Sequence, residues 1–118
     1  MNKDIRARLL AMPRQYEGAS TSILDATHEL SVSREKRDRR EAALLAELVP
    51  VWQAEKSNET IRKAQTEAKL TADAVWLGLT TNIRLAEEQI KLDHSVMDCL
   101  RFERDCLGLI VNNEPNPF

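Results

Sequence analysis

The residues best suited to hold a metal ion lie in one stretch near the end of the chain. His94 and Asp98 are four residues apart, so on a helix their side chains reach a single ion, and Cys99 and Glu103 follow closely. The second histidine, His28, is far away in the sequence. We therefore interpret His94 as a surface or interface histidine and predict no metal and no cofactor.

Paired carboxylates are the second arrangement that could do chemistry. Glu87 and Glu88 are adjacent and Asp93 follows, while Asp25 lies three residues before His28. General acid–base catalysis needs a carboxylate in a cleft with a shifted pKa. A helical chain with few loops offers no obvious cleft, so we interpret these carboxylates as part of a solvated face. The chain is predicted to be non-enzymatic, without catalytic residues.

Glycines and cysteines exclude further classes of site. Gly18, Gly78 and Gly108 are at least thirty residues apart, which rules out a glycine-rich phosphate loop. Cys99 and Cys106 are separated by about 10.5 Å of helical rise, too far for a disulfide within the chain. They are predicted to be reduced core residues, and a bridge between subunits is the alternative.

A basic segment is the strongest candidate for contact with a partner. Its cations are Arg34, Lys36, Arg37, Arg39 and Arg40. Three acidic residues interleave with them, and many of the opposite charges are four residues apart, as in a self-paired helix face. The segment could bind nucleic acid, bind a protein, or simply keep a helix solvated; the net charge of -2 favours the last.

The elements that would position these residues are long helices. Between Ala19 and Asn112 the chain has one proline and two glycines, and apolar residues recur every three to four positions. Charged residues make up 31% and aromatic residues 4%, as is typical of helical bundles. We predict an all-α, elongated, antiparallel helical hairpin, similar to a coiled coil, with a short N-terminal helix.

Capping and breaking residues predict the helix boundaries within a single domain. A short helix is expected at 3–12 before Pro13, a first arm at 20–49 before Pro50, and a second, longer arm at 57–111. Ser57 or Asn58 would cap the second arm, Trp52 would cover the end of the bundle or anchor a partner, and Trp76 would pack in a core or interface. Residues 112–118 are predicted to be a flexible tail.

The second arm carries more apolar residues than one partner helix can cover. Its second apolar stripe contains Leu70, Leu77, Leu85, Leu92, Val96, Cys99, Cys106 and Ile110. Two neighbouring stripes indicate contact with more than one helix.

The two arms also differ in length, so the end of the longer arm lacks a partner within the chain. Either it breaks near residues 78–82 to close a compact bundle, or its end binds another subunit. We favour a homo-oligomer, and the expected interface residues are Ile90, Val96, Met97, Leu100, Leu107 and Ile110.

Two short stretches carry a resemblance to a known group. Ile5–Tyr16 (IRARLLAMPRQY) and Ser57–Gln65 (SNETIRKAQ) resemble small helical proteins of phages and prophages, which have a short helix, a proline and a long helical hairpin. Some of these proteins lie near recombination or replication genes. The resemblance implies an accessory role and carries over no catalytic residue.

No apolar run approaches the length of a membrane span and no secretory signal opens the chain, so we expect a cytoplasmic protein of a bacterial or phage-infected cell. The predicted function is a non-enzymatic interaction or scaffold protein that has a protein partner and does not bind membranes. The alternative is a nucleic-acid-binding accessory protein of recombination or replication that uses the basic segment.

Overall fold

Three helices make up almost all of this protein. The computed structural model describes residues 3–113, and within them the helices are α1 (Lys3–Glu55), α2 (Glu59–Thr71) and α3 (Ala74–Asn113). No strand occurs in this described part of the chain. The predicted all-α fold is confirmed.

The helices divide between two compact units. Unit 1 combines the beginning of α1 with the end of α3, described here over residues 3–27 and 88–113. Unit 2 is formed by His28–Glu87, which includes the rest of α1, all of α2 and the beginning of α3.

Unit 1 is held by a thin core between antiparallel stretches of α1 and α3. Met12 and Ala19 on α1 and Leu100 on α3 are buried. The Ser22 hydroxyl donates a hydrogen bond of 2.5 Å to the buried carboxylate of Asp93. Because Ser22 lies later in α1 than Met12 and Asp93 lies earlier in α3 than Leu100, the two stretches run in opposite directions.

Unit 2 has its own core. Its buried apolar side chains are Leu30, Leu44, Ile83 and Ala86. Trp52, near the end of α1, donates its indole Nε1–H to Gln65 Oε1 of α2 at 2.6 Å. The tryptophan therefore fastens α2 to α1, so its predicted place at the end of the helix pair is close to what the structure has.

Two predicted interruptions of the first arm are wrong. A helix at 3–12 and an arm at 20–49 were expected to be separated near Pro13 and to end near Pro50, whereas α1 runs unbroken through both prolines. An internal proline removes one backbone hydrogen bond and costs about 3 kcal/mol. At Pro13, the packing of the first turns of α1 on α3 in unit 1 offsets that cost.

The second arm breaks at a different place from the one expected. Residues 78–82 are helical, and the arm predicted over 57–111 is interrupted instead at Ala72 and Asp73. The Asp73 carboxylate accepts a hydrogen bond from the backbone N–H of Trp76 at 3.0 Å, as an N-cap residue does. A good cap next to buried packing thus decides the boundary, rather than the low helix propensity of residues 78–82.

The connection between α1 and α2 is three residues long. Lys56 ends α1 in the left-handed region with φ 48°, where glycine is the usual residue. Asn58 then caps α2, because its side-chain oxygen accepts from the backbone N–H of Ile61 at 2.9 Å. The prediction that Ser57 or Asn58 caps this helix is confirmed for Asn58.

The predicted flexible tail at 112–118 lies mostly outside the described residues, and its first two members, Asn112 and Asn113, belong to α3. None of the described helices contains a segment that is both long and apolar enough to cross a membrane.

Candidate interaction surface

One flank of α3 in unit 1 carries a mostly apolar row that α1 covers only in part. Its members are spaced alternately four and three residues apart, and we call them the seam: Leu92, Val96, Cys99, Glu103, Cys106 and Ile110. This alternation is the heptad spacing with which one helix packs along another in a coiled coil. Leu92 is 58% exposed, Val96 40% and Ile110 48%. The spacing of the seam is therefore that of a helix packed against another helix, although these three side chains are exposed.

Two larger apolar side chains extend this surface. Phe102 is 72% exposed and Leu109 is 62% exposed, and both follow a seam residue by three positions, so they lie next to the seam on the helix. A single exposed leucine needs no explanation, whereas a contiguous apolar face is a feature typical of interaction surfaces.

A groove of about 640 Å³ runs between the seam and α1. Val96 and the buried Leu100 line its apolar part, while Arg8 and Gln15 of α1 line the opposite wall. Glu103 also lines the groove. The groove presents apolar surface between two antiparallel helices. Side chains of a third helix can pack into a groove of this kind.

The one charged member of the seam is already paired. Arg8 donates to both carboxylate oxygens of Glu103, with Nη2 at 2.6 Å from Oε2. The hydrogen bond from Arg8 lowers the pKa of Glu103 below its usual value. A helix bound along the seam would therefore meet a neutral ion pair rather than an isolated carboxylate.

The flank of α1 on the groove side alternates between long polar residues and small ones. Helical spacing places Ala11 and Gly18 in the same row as Arg8 and Gln15, and Ala11 and Gly18 are exposed. A Cβ atom added at Gly18 would meet nothing within 4 Å. Ala11 and Gly18 therefore add little bulk to this row, whose two long side chains, Arg8 and Gln15, are hydrogen-bonded to each other at 2.6 Å.

The six residues that were predicted to form an oligomer interface differ in how far they are buried. Val96 and Ile110 are exposed members of the seam, while Ile90, Met97 and Leu107 are half-buried. Leu100 is only 7% exposed because it packs in the core of unit 1, so its assignment to an interface is wrong. The expectation that the end of the long arm lacks a partner within the chain fails because α1 begins at Lys3 and covers part of it.

Two interpretations of single residues also change. Cys99 is exposed, so it is not the core cysteine that was predicted, while Cys106 is half-buried. Asp93 was expected on a solvated face but is buried, with Ser22 and Gln89 both donating hydrogen bonds to its carboxylate. Within the described residues, no group of three or more His, Cys, Asp and Glu side chains is placed to hold a metal ion.

The basic segment lies on α1 in unit 2, and most of its arginines have acidic partners. Arg34 donates to Glu87 at 3.1 Å and Arg39 donates to Glu35 at 2.5 Å. The pair at 35 and 39 is one of those predicted, whereas the bridge from Arg34 crosses to α3. These contacts neutralise much of the charge that a phosphate backbone would need.

The remaining cations of the segment differ in their surroundings. Arg40 binds Asp73 through two hydrogen bonds, and this pair is largely covered on the acidic side. Arg37 is half-buried, and its Nε is buried without a hydrogen-bond partner among the described residues. Lys36 is exposed. The five cations thus do not form one free basic face.

Trp76 packs as predicted at a contact between helices. It is half-buried and donates its indole Nε1–H to Glu41 of α1 at 2.8 Å. This bond explains why Glu41 does not pair with Arg37, as the spacing along α1 alone had suggested.

Part of the candidate surface could be identified in the sequence. The second apolar stripe contains five of the six seam residues, so the spacing indicated the right flank of the helix. Phe102, Leu109 and the groove wall formed by Arg8 and Gln15 were missed, because the pairing of early α1 residues with late α3 residues depends on α1 passing through Pro13.

In comparisons with known proteins, no family model, no curated protein and no solved structure matches the chain.

Proposed function

We propose that this protein is a non-enzymatic helical interaction protein, a scaffold that binds another helix along the seam of α3. The observation that carries the proposal is the heptad row from Leu92 to Ile110, four of whose six members are exposed. A helix surface with this spacing is apolar because another helix covers it, and α1 already occupies the neighbouring flank.

An accessory role in a phage or prophage is the finer part of this proposal. It rests on the resemblance carried by Ile5–Tyr16 and Ser57–Gln65, and the scaffold role does not depend on it. A protein that contributes a helix face and no catalytic group suits such a role, because it acts by holding its partner in place.

Nucleic-acid binding through the basic segment has less support. Arg34, Arg39 and Arg40 each pair with a carboxylate, and the aromatic side chains that stack on unpaired bases are missing from the segment itself. Each phosphate contact would first have to displace one of these acidic partners.

Site-specific photo-crosslinking in the cells that make the protein tests the scaffold role. A benzophenone amino acid replaces Phe102 beside the seam in one variant and His94 in the control, since both positions are exposed on α3. We expect ultraviolet light to attach the Phe102 variant to protein, either another copy or a different chain, and to leave the His94 variant free.

Equal labelling at both positions, or no protein adduct at Phe102, would contradict the proposal. Adducts to nucleic acid from a probe placed at Lys36, in the absence of protein adducts at Phe102, would favour the alternative function.

A further inference from the structure

We infer that the occupant of the seam is the seam of a second copy of this chain, packed antiparallel about a two-fold axis close to Phe102. This inference rests on the proposed function and makes it specific, because it names the partner and its orientation. The argument follows from which side chains meet when the seam is placed against itself.

The antiparallel register that aligns the three-and-four spacing of two seams pairs residues whose numbers sum to 202. In that register Leu92 lies opposite Ile110 of the second copy, and Val96 lies opposite Cys106 of the second copy. Cys99 lies opposite Glu103, and each of these layers occurs twice because of the two-fold symmetry. Two of the three kinds of layer are fully apolar.

Charge favours this orientation over a parallel one. A parallel pair in register would place the two Glu103 carboxylates directly opposite each other, and like charges at such positions are destabilising. In the antiparallel pair each Glu103 faces the small side chain of Cys99 and keeps its two hydrogen bonds from Arg8.

The residues next to the seam also meet suitable partners in the antiparallel pair. Phe102 lies one residue from the axis, so the phenyl rings of the two copies approach each other, and Ser95 lies near Leu109 of the second copy. Antiparallel packing also brings the two α1 flanks to the same side of the seam. The small, exposed residues Ala11 and Gly18 add little bulk on that side.

The size of the surface agrees with a dimer. The five most exposed apolar side chains of this face are Leu92, Val96, Phe102, Leu109 and Ile110. Together they expose roughly 500 Å², close to the apolar share, about 65%, of the roughly 800 Å² that each partner buries in a standard homodimer.

Cysteine cross-linking of the purified protein tests the partner and the orientation together. The variant Val96→Cys/Cys99→Ser keeps Cys106 and places the two thiols in one antiparallel layer. Within one chain these thiols are about 15 Å apart along the helix, so they can bridge only between copies. We expect mild oxidation to give a dimer in which peptide mapping finds the bridge between positions 96 and 106.

Two control variants should give little disulfide-linked dimer if the antiparallel register is right. The variant Cys106→Ser retains Cys99, which links to itself in a parallel pair and faces Glu103 in an antiparallel one, so we expect little dimer from it. The variant Cys99→Ser/Cys106→Ser/His94→Cys places one thiol outside the seam and should also give little dimer. Circular dichroism of each variant verifies that the helices are intact.

Light scattering of the unoxidised protein separates this inference from the proposed function. A dimeric mass with efficient linking through Cys99 would overturn the orientation and leave the scaffold role standing. A monomeric mass at tens of micromolar would overturn the second copy as occupant, while protein adducts at Phe102 in cells would still support the scaffold role.

Discussion

Arg40 on α1 donates two hydrogen bonds to the carboxylate of Asp73, the residue that also caps α3. The Nε–Oδ2 distance is 2.9 Å and the Nη2–Oδ1 distance is 2.8 Å. A third bond comes from the backbone N–H of Trp76, so one carboxylate fixes both the start of α3 and its position against α1.

This carboxylate predicts how stability depends on pH. The hydrogen bonds from Arg40, with that from Trp76, lower the pKa of Asp73 from its usual 3.8 to about 2. Since the folded pKa is the lower one, the contribution of this group is present above pH 3.8 and is lost as the pH falls towards 2. Urea unfolding at a series of pH values should show the free energy of unfolding falling across this range.

The variant Asp73→Asn isolates that contribution, because asparagine still caps a helix but carries no charge. We expect the variant to be less stable than the wild type at neutral pH and to approach it near pH 2. A pH profile as steep as that of the wild type would contradict the assignment to Asp73, and Asp38→Asn, an exposed change on α1, serves as control.

Leu100 and Leu92 should respond differently to truncation although both belong to the apolar pattern of α3. Leu100→Ala removes a buried side chain from unit 1 and should lower the free energy of unfolding by about 2–4 kcal/mol. Leu92→Ala should weaken association while changing the stability of the dilute chain by less than about 0.5 kcal/mol. Chemical unfolding at low concentration and light scattering at high concentration distinguish the two effects, with Leu24→Ala, on exposed α1 surface, as control.

Lys56 offers a stabilising substitution. Its left-handed backbone strains any residue with a Cβ atom, whereas glycine adopts it freely. We expect Lys56→Gly to raise the free energy of unfolding by about 0.5–1 kcal/mol. The matched change Gln53→Gly, inside α1, should lower it by about 1 kcal/mol, so a loss of stability in both variants would show that the conformation of Lys56 is not the cause.

The basic segment should tolerate loss of its exposed charge. Arg39 and Glu35 are both well exposed, so Arg39→Gln should change the free energy of unfolding by less than about 0.5 kcal/mol. Arg40→Gln should be clearly more damaging, because it leaves Asp73 without its main partner. We expect no detectable DNA binding at physiological salt for the wild type or for either variant, measured in a filter-binding or anisotropy titration.

Local signals predicted the helical class and one capping residue, while the long-range pairing required the structure. The spacing of apolar residues indicated both flanks of α3, and the position before a helix narrowed the cap of α2 to Ser57 or Asn58, of which Asn58 is the cap. The passage of α1 through Pro13 could not be predicted, because the packing that offsets the lost hydrogen bond comes from Leu100, almost ninety residues away. The break at Asp73 was missed for a related reason: its partner Arg40 is distant in sequence.

The tryptophans and the cysteines are divided between the two units, so each unit can be followed by a different probe. Both tryptophans, Trp52 and Trp76, lie in unit 2, and both cysteines, Cys99 and Cys106, lie in unit 1. Indole fluorescence therefore reports on the loosening of unit 2. The rate at which the half-buried Cys106 is labelled reports on the opening of unit 1, whereas the exposed Cys99 reacts without it. Whether the two units unfold together or one after the other can therefore be measured on the natural sequence, without introducing a tryptophan or a cysteine by mutation.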